Sequence, residues 1–276
     1  MANTQLKSQS SLGAQVEKIS EESSHYLLSI PSGKADKYRL AQLSDYALLS
    51  RGKFLHQYGS SLSLSARTSS DSIPGTWGFG LWNDPFGMSI GYGGKPFRIP
   101  ALPNAIWFFG ASEENYLSFA SGLDTASPTR PAVNGFIAQT FRAPKFHPLL
   151  IPAGLALPFS RKLTRRLMSK IVVEDGFQLW NQEAGSRGSH QQANGVHSVN
   201  PTDWHRYRFE WSEKRVSFEA DDVQVFESAV SPNPPLGLVI WIDNQYAAFT
   251  PEGKIRFGVL ENAEPAWLEV KDLKIG

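Results

Sequence analysis

Strict alternation of polar and apolar residues recurs along this chain in runs too short for anything but β-strands, because a two-residue period puts every second side chain on the same face. Ser61-Leu62-Ser63-Leu64-Ser65-Ala66 places Leu62 and Leu64 on one buried face. Arg206-Tyr207-Arg208-Phe209-Glu210-Trp211 does the same for Tyr207, Phe209 and Trp211, and Arg215-Val216-Ser217-Phe218-Glu219-Ala220 continues the pattern. Asp221-Asp222 supplies a hairpin turn into Val223-Gln224-Val225-Phe226, and residues 267–275 close the chain on another alternating run. With 23 glycines and 18 prolines to punctuate these runs, the chain is predicted to be all-β, two antiparallel sheets packed as a sandwich. Sandwiches reach ~200–250 residues as one domain, so the length does not force a division. Residues 1–22 are polar, rich in Ser and Gln and without sustained periodicity. They are expected to be a flexible arm before a single domain over 23–276.

Three runs are apolar on both faces: residues 77–82, 105–109 and 236–242. Such strands sit in the middle of a sheet, with one face on the core and the other on something that also excludes water. Loops or the N-terminal arm would satisfy that, and so would a ligand groove. Within residues 236–245, alternation sets Leu238, Ile240 and Ile242 on one face and Trp241, Asp243 and Gln245 on the other. If the aliphatic face is the core, Trp241, Asp243 and Gln245 point into the groove. A carboxylate beside an indole in a dry cleft has its pKa raised by desolvation, which makes Asp243 the candidate catalytic acid. The plain alternative is that Asp243-Asn244 starts a solvated turn. Trp77, Trp82, Trp107, Trp180 and Trp241 are the candidate ligand-binding lining, with about half expected to be ordinary packing, since Trp is mostly buried in any case.

One segment breaks the β pattern. Residues 143–158 are apolar and Pro-rich, and from Ser160 to Ile171 the chain reads as a short amphipathic helix, Ser160 capping and Leu163, Leu167 and Ile171 aligned on one side. Arg161, Lys162, Arg165, Arg166 and Lys170 occupy the rest of it. The insertion, residues 143–171, reads as a lid, as a contact to an anionic membrane from Arg161 to Ile171, or as a solvated surface element. The absence of cysteine excludes disulfides, thiolate metal sites and cysteine nucleophiles. None of the six histidines has metal-ligand spacing, so no metal and no cofactor is expected. His205 reads as structural, and His190 and His197 lie in a polar loop. The Gly91-Tyr92-Gly93-Gly94-Lys95 loop lacks the spacing of a phosphate cradle. Lys and Arg (27) nearly balance Asp and Glu (26), which argues against nucleic acid as a partner. No basic start followed by an apolar run opens the sequence, so a cytoplasmic location is expected of a chain that begins here.

Two segments carry a family likeness. Asp203-Trp204-His205-Arg206-Tyr207-Arg208-Phe209-Glu210-Trp211, followed by the Phe218 strand, the Asp221-Asp222 turn and Val225, resembles the late strands of the concanavalin A-like lectin/glucanase superfamily, most of all the family 16 glycoside hydrolases. Gly75-Thr76-Trp77-Gly78-Phe79-Gly80-Leu81-Trp82 is similar to the strand that precedes the catalytic strand there. The resemblance implies a jelly-roll sandwich. It does not extend to the chemistry: retaining hydrolysis needs two carboxylates about 5–5.5 Å apart, and the corresponding strand here, Asn104-Ala105-Ile106-Trp107-Phe108-Phe109-Gly110, has none. Glu113 and Glu114 follow it but are adjacent, so on a strand they would face opposite ways.

Three functions fit these residues. The first is a non-hydrolytic binding protein whose aromatic groove takes a glycan or another ring-bearing small molecule. The second is an enzyme on an apolar small molecule, a cyclase or isomerase using Asp243 as general acid beneath the insertion. The third is docking of the insertion on a membrane or partner, which is compatible with either.

Overall fold

The computed structural model describes residues 6–20, 23–85, 101–116, 118, 134–144, 160–180, 199–250 and 254–276. The Gly-rich loop at 91–95, His147, His190, His197 and most of the Pro-rich stretch at 144–158 lie outside them.

Two seven-stranded antiparallel sheets pack face to face as a jelly-roll sandwich. Sheet A runs β1 (Lys7–Ser10), β4 (Leu40–Ser44), β13 (Gly237–Asp243), β6 (Thr76–Trp82), β7 (Ala105–Ala111), β8 (Gly135–Arg142), β9 (Val173–Trp180). Sheet B runs β12 (Val223–Ser228), β11 (Val216–Ala220), β10 (His205–Trp211), β5 (Ser61–Thr68), β16 (Ala266–Ile275), β3 (His25–Ile30), β2 (Gln15–Ser20). A separate ribbon joins β14 (Gln245–Phe249) to β15 (Ile255–Val259).

The alternating runs behave as their period dictates. Leu62 and Leu64 of β5 and Tyr207, Phe209 and Trp211 of β10 all turn into the space between the sheets, where they meet Phe79 and Phe108 from sheet A. Asp221 and Asp222 both take positive φ (51° and 65°), the geometry of a tight hairpin that matches strand twist, and join β11 to β12 as expected.

Residues 7–10 and 15–20 are not a flexible arm. β1 adds to the edge of sheet A beside β4, and β2 adds to the edge of sheet B beside β3. The chain steps between sheets through Leu12 and Gly13, both at positive φ, and Ala14 is buried in the core. Edge strands with largely solvated faces need little apolar residue content, which is why the periodicity is silent there.

Among the described residues the insertion carries a short helix, α1 (Arg161–Met168), capped by the Ser160 hydroxyl accepting from the Leu163 N–H. It stops earlier than the expected 171. The N–H groups of Ile171 and Val172 both bond the Met168 carbonyl and turn the chain toward β9. Leu163 remains 47% exposed, whereas Ile171 is buried.

Candidate functional site

Sheet A has a second apolar face, directed away from sheet B. On β13, Leu238, Ile240 and Ile242 enter the core between the sheets, and Val239 and Trp241 point the other way. The face assignment expected from alternation is therefore the one observed. Beside β13 lies β6, whose outward positions are Thr76, Gly78, Gly80 and Trp82. The two glycines make room for indoles from both neighbours. A Cβ on Gly78 would lie 2.9 Å from Cη2 of Trp241, and one on Gly80 would lie 2.7 Å from Cβ of Trp107.

The result is a layer of rings across three strands. Trp82 and Trp241 are parallel, their planes 3° apart and centroids 6.2 Å apart. Trp107 lies 5.8 Å from Trp241, and Phe109 lies 5.1 Å from Trp241 and 4.9 Å from Trp107. Each indole N–H of the three is used within the layer: Trp82 donates to the Tyr46 hydroxyl (2.6 Å), Trp107 to Oε1 of Gln139 (3.2 Å) and Trp241 to Oγ1 of Thr76 (3.0 Å). Phe54, Leu102, Phe141, Ile171 and Val172 complete the cluster, and the four rings are only 6–7% exposed. What the sequence suggested as an open aromatic groove is, in this structure, a covered layer.

Trp77 and Trp180 do not belong to it. Trp77 stacks on Phe136 at 4.7 Å in the core between the sheets, and Trp180 packs against the same core with its Nε1 buried and without a hydrogen-bond partner among the described residues. Trp77 and Trp82 are five residues apart on one strand, and an odd separation on a strand means opposite faces. Gln245 opens β14, after the chain has left sheet A at Asn244, and its contact with the site is its backbone N–H.

Asp243 sits at the end of β13 beside this layer, 3% exposed, which excludes the solvated turn. Its Oδ1 accepts from the Thr76 hydroxyl (2.8 Å), the Thr76 N–H (3.3 Å) and the Gln245 N–H (3.1 Å), and its Oδ2 accepts from the Tyr38 hydroxyl (3.0 Å). Since Thr76 also accepts from Trp241, the acid and the indole are joined through one hydroxyl. Burial pushes the Asp243 carboxyl up to about 6, outweighing the four hydrogen bonds that favour the ionised form. Sequence reasoning found Asp243 but neither Thr76 nor Tyr38, which come from strands and loops remote in sequence. The one available signal was the glycine at every second position of β6.

The outward positions of β7 are Ala105, Trp107, Phe109 and Ala111, and none is acidic. Glu113 and Glu114 are exposed in the turn that follows. Glu174 of β9 pairs with Phe141 and so shares this face, where it bonds Ser118. Asp243 and Glu174 stand four strands apart and at opposite ends of the sheet, since Asp243 aligns through Thr76 with Ala111, and Glu174 aligns through Phe141 with Ala105. At about 4.8 Å per strand their separation is on the order of 20 Å or more, far beyond the ~5–9.5 Å of a glycosidase pair. Among the described residues, no group of three or more His, Asp or Glu is placed to hold a metal ion.

No protein-family model and no curated protein sequence matches this chain. Solved structures match in fold. A family 16 glycoside hydrolase endo-glucanase from Bacteroides ovatus aligns with 100% of this chain and 96% of its own at 11% identity and a TM-score of 0.47. A legume lectin-like domain from Entamoeba histolytica aligns with 98% and 89% at 10% identity and 0.44. A GlcNAcα1-4Gal-releasing endo-β-galactosidase from Clostridium perfringens aligns with 94% of this chain at 11% identity and 0.41, and this chain spans 54% of its length. At these identities and scores the likeness is confined to the fold.

Proposed function

We propose that the chain is a non-hydrolytic binding protein that receives a ring-bearing ligand, a glycan foremost, on the outward face of sheet A. The observation that carries this is the make-up of that face. Where hydrolysis would need two carboxylates within about 9.5 Å, the face holds Trp82, Trp107, Phe109 and Trp241, and the two acids described on it, Asp243 and Glu174, stand at opposite ends. Aromatic faces suit the C–H faces of sugar rings, and with their N–H groups already satisfied these indoles would recognise shape rather than hydroxyl pattern. The layer is covered, so the ligand must displace part of the cover, to which the insertion contributes Met168 and Ile171 among the described residues.

Indole N–H signals in an isotope-labelled sample test this. Titration with neutral gluco-oligosaccharides should move the signals of Trp82, Trp107 and Trp241 and leave Trp211, deep in the other core, unmoved. Ile171→Ala should strengthen binding by loosening the cover. Unmoved signals at millimolar ligand in both proteins would end the proposal. A second reading is favoured by Asp243, whose raised pKa keeps a proton available near neutrality for general-acid work on an apolar substrate. In that reading Asp243→Asn abolishes turnover and spares binding.

A further inference from the structure

The opposite side of the sandwich, the solvent face of sheet B, carries an arrangement that the core does not require. Ala66 and Thr68 of β5 and Leu268 and Val270 of β16 turn inward, so Arg67, Trp267, Glu269 and Lys271 turn out. Trp204, in the turn before β10, lies across this face. The Arg67 guanidinium is 4.8 Å and the Lys271 ammonium 4.1 Å from its ring centre, and His25 of β3 meets its edge at 6.4 Å. Arg67 also lies 5.4 Å from the ring centre of Trp267. Both indoles are half-buried on a surface where they fill no core.

The charges are arranged unequally. Glu269 is saturated: Oε1 is 2.8 Å from Nε2 of His25, and Oε2 accepts from Arg67 at 2.8 Å. Those hydrogen bonds outweigh burial and hold it below the usual carboxylate range, so it stays ionised and fixes Arg67 in place. Lys271 makes no ion pair among the described residues.

We propose that this face is a second binding surface and takes a saccharide that bears a carboxylate, such as a uronic acid. The indoles supply ring faces: Arg67 and Lys271 lie over the ring of Trp204, and Arg67 over that of Trp267. Lys271 supplies the uncommitted cation, with Arg67 beside it. Cations held against indoles before the ligand arrives lose less freedom on binding, which raises affinity for a given set of contacts. The exposed Asp203 and Asp272, next in sequence to Trp204 and Lys271, oppose a dense polyanion such as nucleic acid and favour a ligand with discrete charge.

The test is a titration of the full chain with trigalacturonate, followed through the indole N–H signals, with maltotriose as the neutral trisaccharide. Trigalacturonate should move the Trp204 and Trp267 signals and leave those of Trp82, Trp107 and Trp241 in place. Lys271→Gln should weaken binding about tenfold or more, the usual worth of a hydrogen bond to a charged group. Trp267→Ala should weaken it comparably, and Lys53→Gln, an exposed cation in the 3-10 turn before Phe54, should change nothing. If Trp267→Ala fails to fold, Lys271→Gln alone decides, since it removes a charge and keeps the stem. Absence of shifts at millimolar trigalacturonate overturns the proposal. So does equal binding of maltotriose, an inert Lys271→Gln, or an equal loss in Lys53→Gln, which would mark unspecific attraction.

Discussion

Asp243→Asn separates the electrostatics of the site from its shape. The side chain keeps its outline, and the amide oxygen can still accept from the Thr76 N–H, the Thr76 hydroxyl and the Gln245 N–H, while the amide nitrogen donates to the Tyr38 oxygen. Only the ionisation is lost. In the folded wild type the carboxyl titrates near 6 instead of 3.8, because burial disfavours the charge. A folded-state pKa raised above the unfolded one means that the folded chain binds the proton more tightly. The stability this contributes is fully present below pH 3.8 and is lost as pH rises through about 6. A shift of about two units at 1.36 kcal/mol each amounts to about 3 kcal/mol. The stability of Asp243→Asn relative to wild type should therefore rise by about 3 kcal/mol between about pH 3 and pH 8. For a chain of this size that corresponds to roughly 6–12 °C in melting temperature. Urea denaturation at unit pH steps, with m unchanged, measures it directly. A difference that stays flat across this range would refute the argument. A difference of opposite sign would mean that the four hydrogen bonds outweigh burial.

The remaining expectations concern packing and chemistry. Trp241→Ala removes a buried ring from the middle of the outward layer and should cost about 3–5 kcal/mol in urea unfolding. An unchanged midpoint would show the layer to be an open surface. Gly80→Ala puts a Cβ 2.2 Å from the Ile106 carbonyl oxygen, so soluble yield and melting temperature should collapse, whereas Gly176→Ala, with its nearest contact at 3.3 Å, should be mild. Equal behaviour of the two glycine variants would contradict the close approach of β6 and β7. Purified protein should release no reducing sugar from laminarin or lichenan. Release that disappears in Asp243→Asn would refute the non-hydrolytic reading.

The two-residue period was enough to determine that the chain is a sandwich, and which side of β5, β10 and β11 faces the core, because on a strand the face of a residue follows from its parity; on β13, apolar on both sides, parity sorted the residues into two faces and the structure decided which is the core. The Asp221-Asp222 hairpin and the Ser160 cap were legible for the same local reason: their backbone geometry depends on a few neighbouring residues. Trp77 and Trp82 were read together as lining, although their odd separation on one strand puts them on opposite faces and Trp77 lies in the core. Other features exist only in three dimensions. β1 and β2 become strands because β4 and β3 offer them open edges, 31 to 37 residues away in the chain for β1 and a turn away for β2. The layer of Trp82, Trp107 and Trp241 is closed rather than open because Phe54, Phe141 and Ile171 converge on it from three separate segments. The proton affinity of Asp243 is raised by the exclusion of water and held back by hydrogen bonds from Thr76 and Tyr38, more than 160 residues earlier in the chain. Alternation tells a residue which way to point. What it meets there, and whether water reaches it, depends on every segment that folds over the same spot.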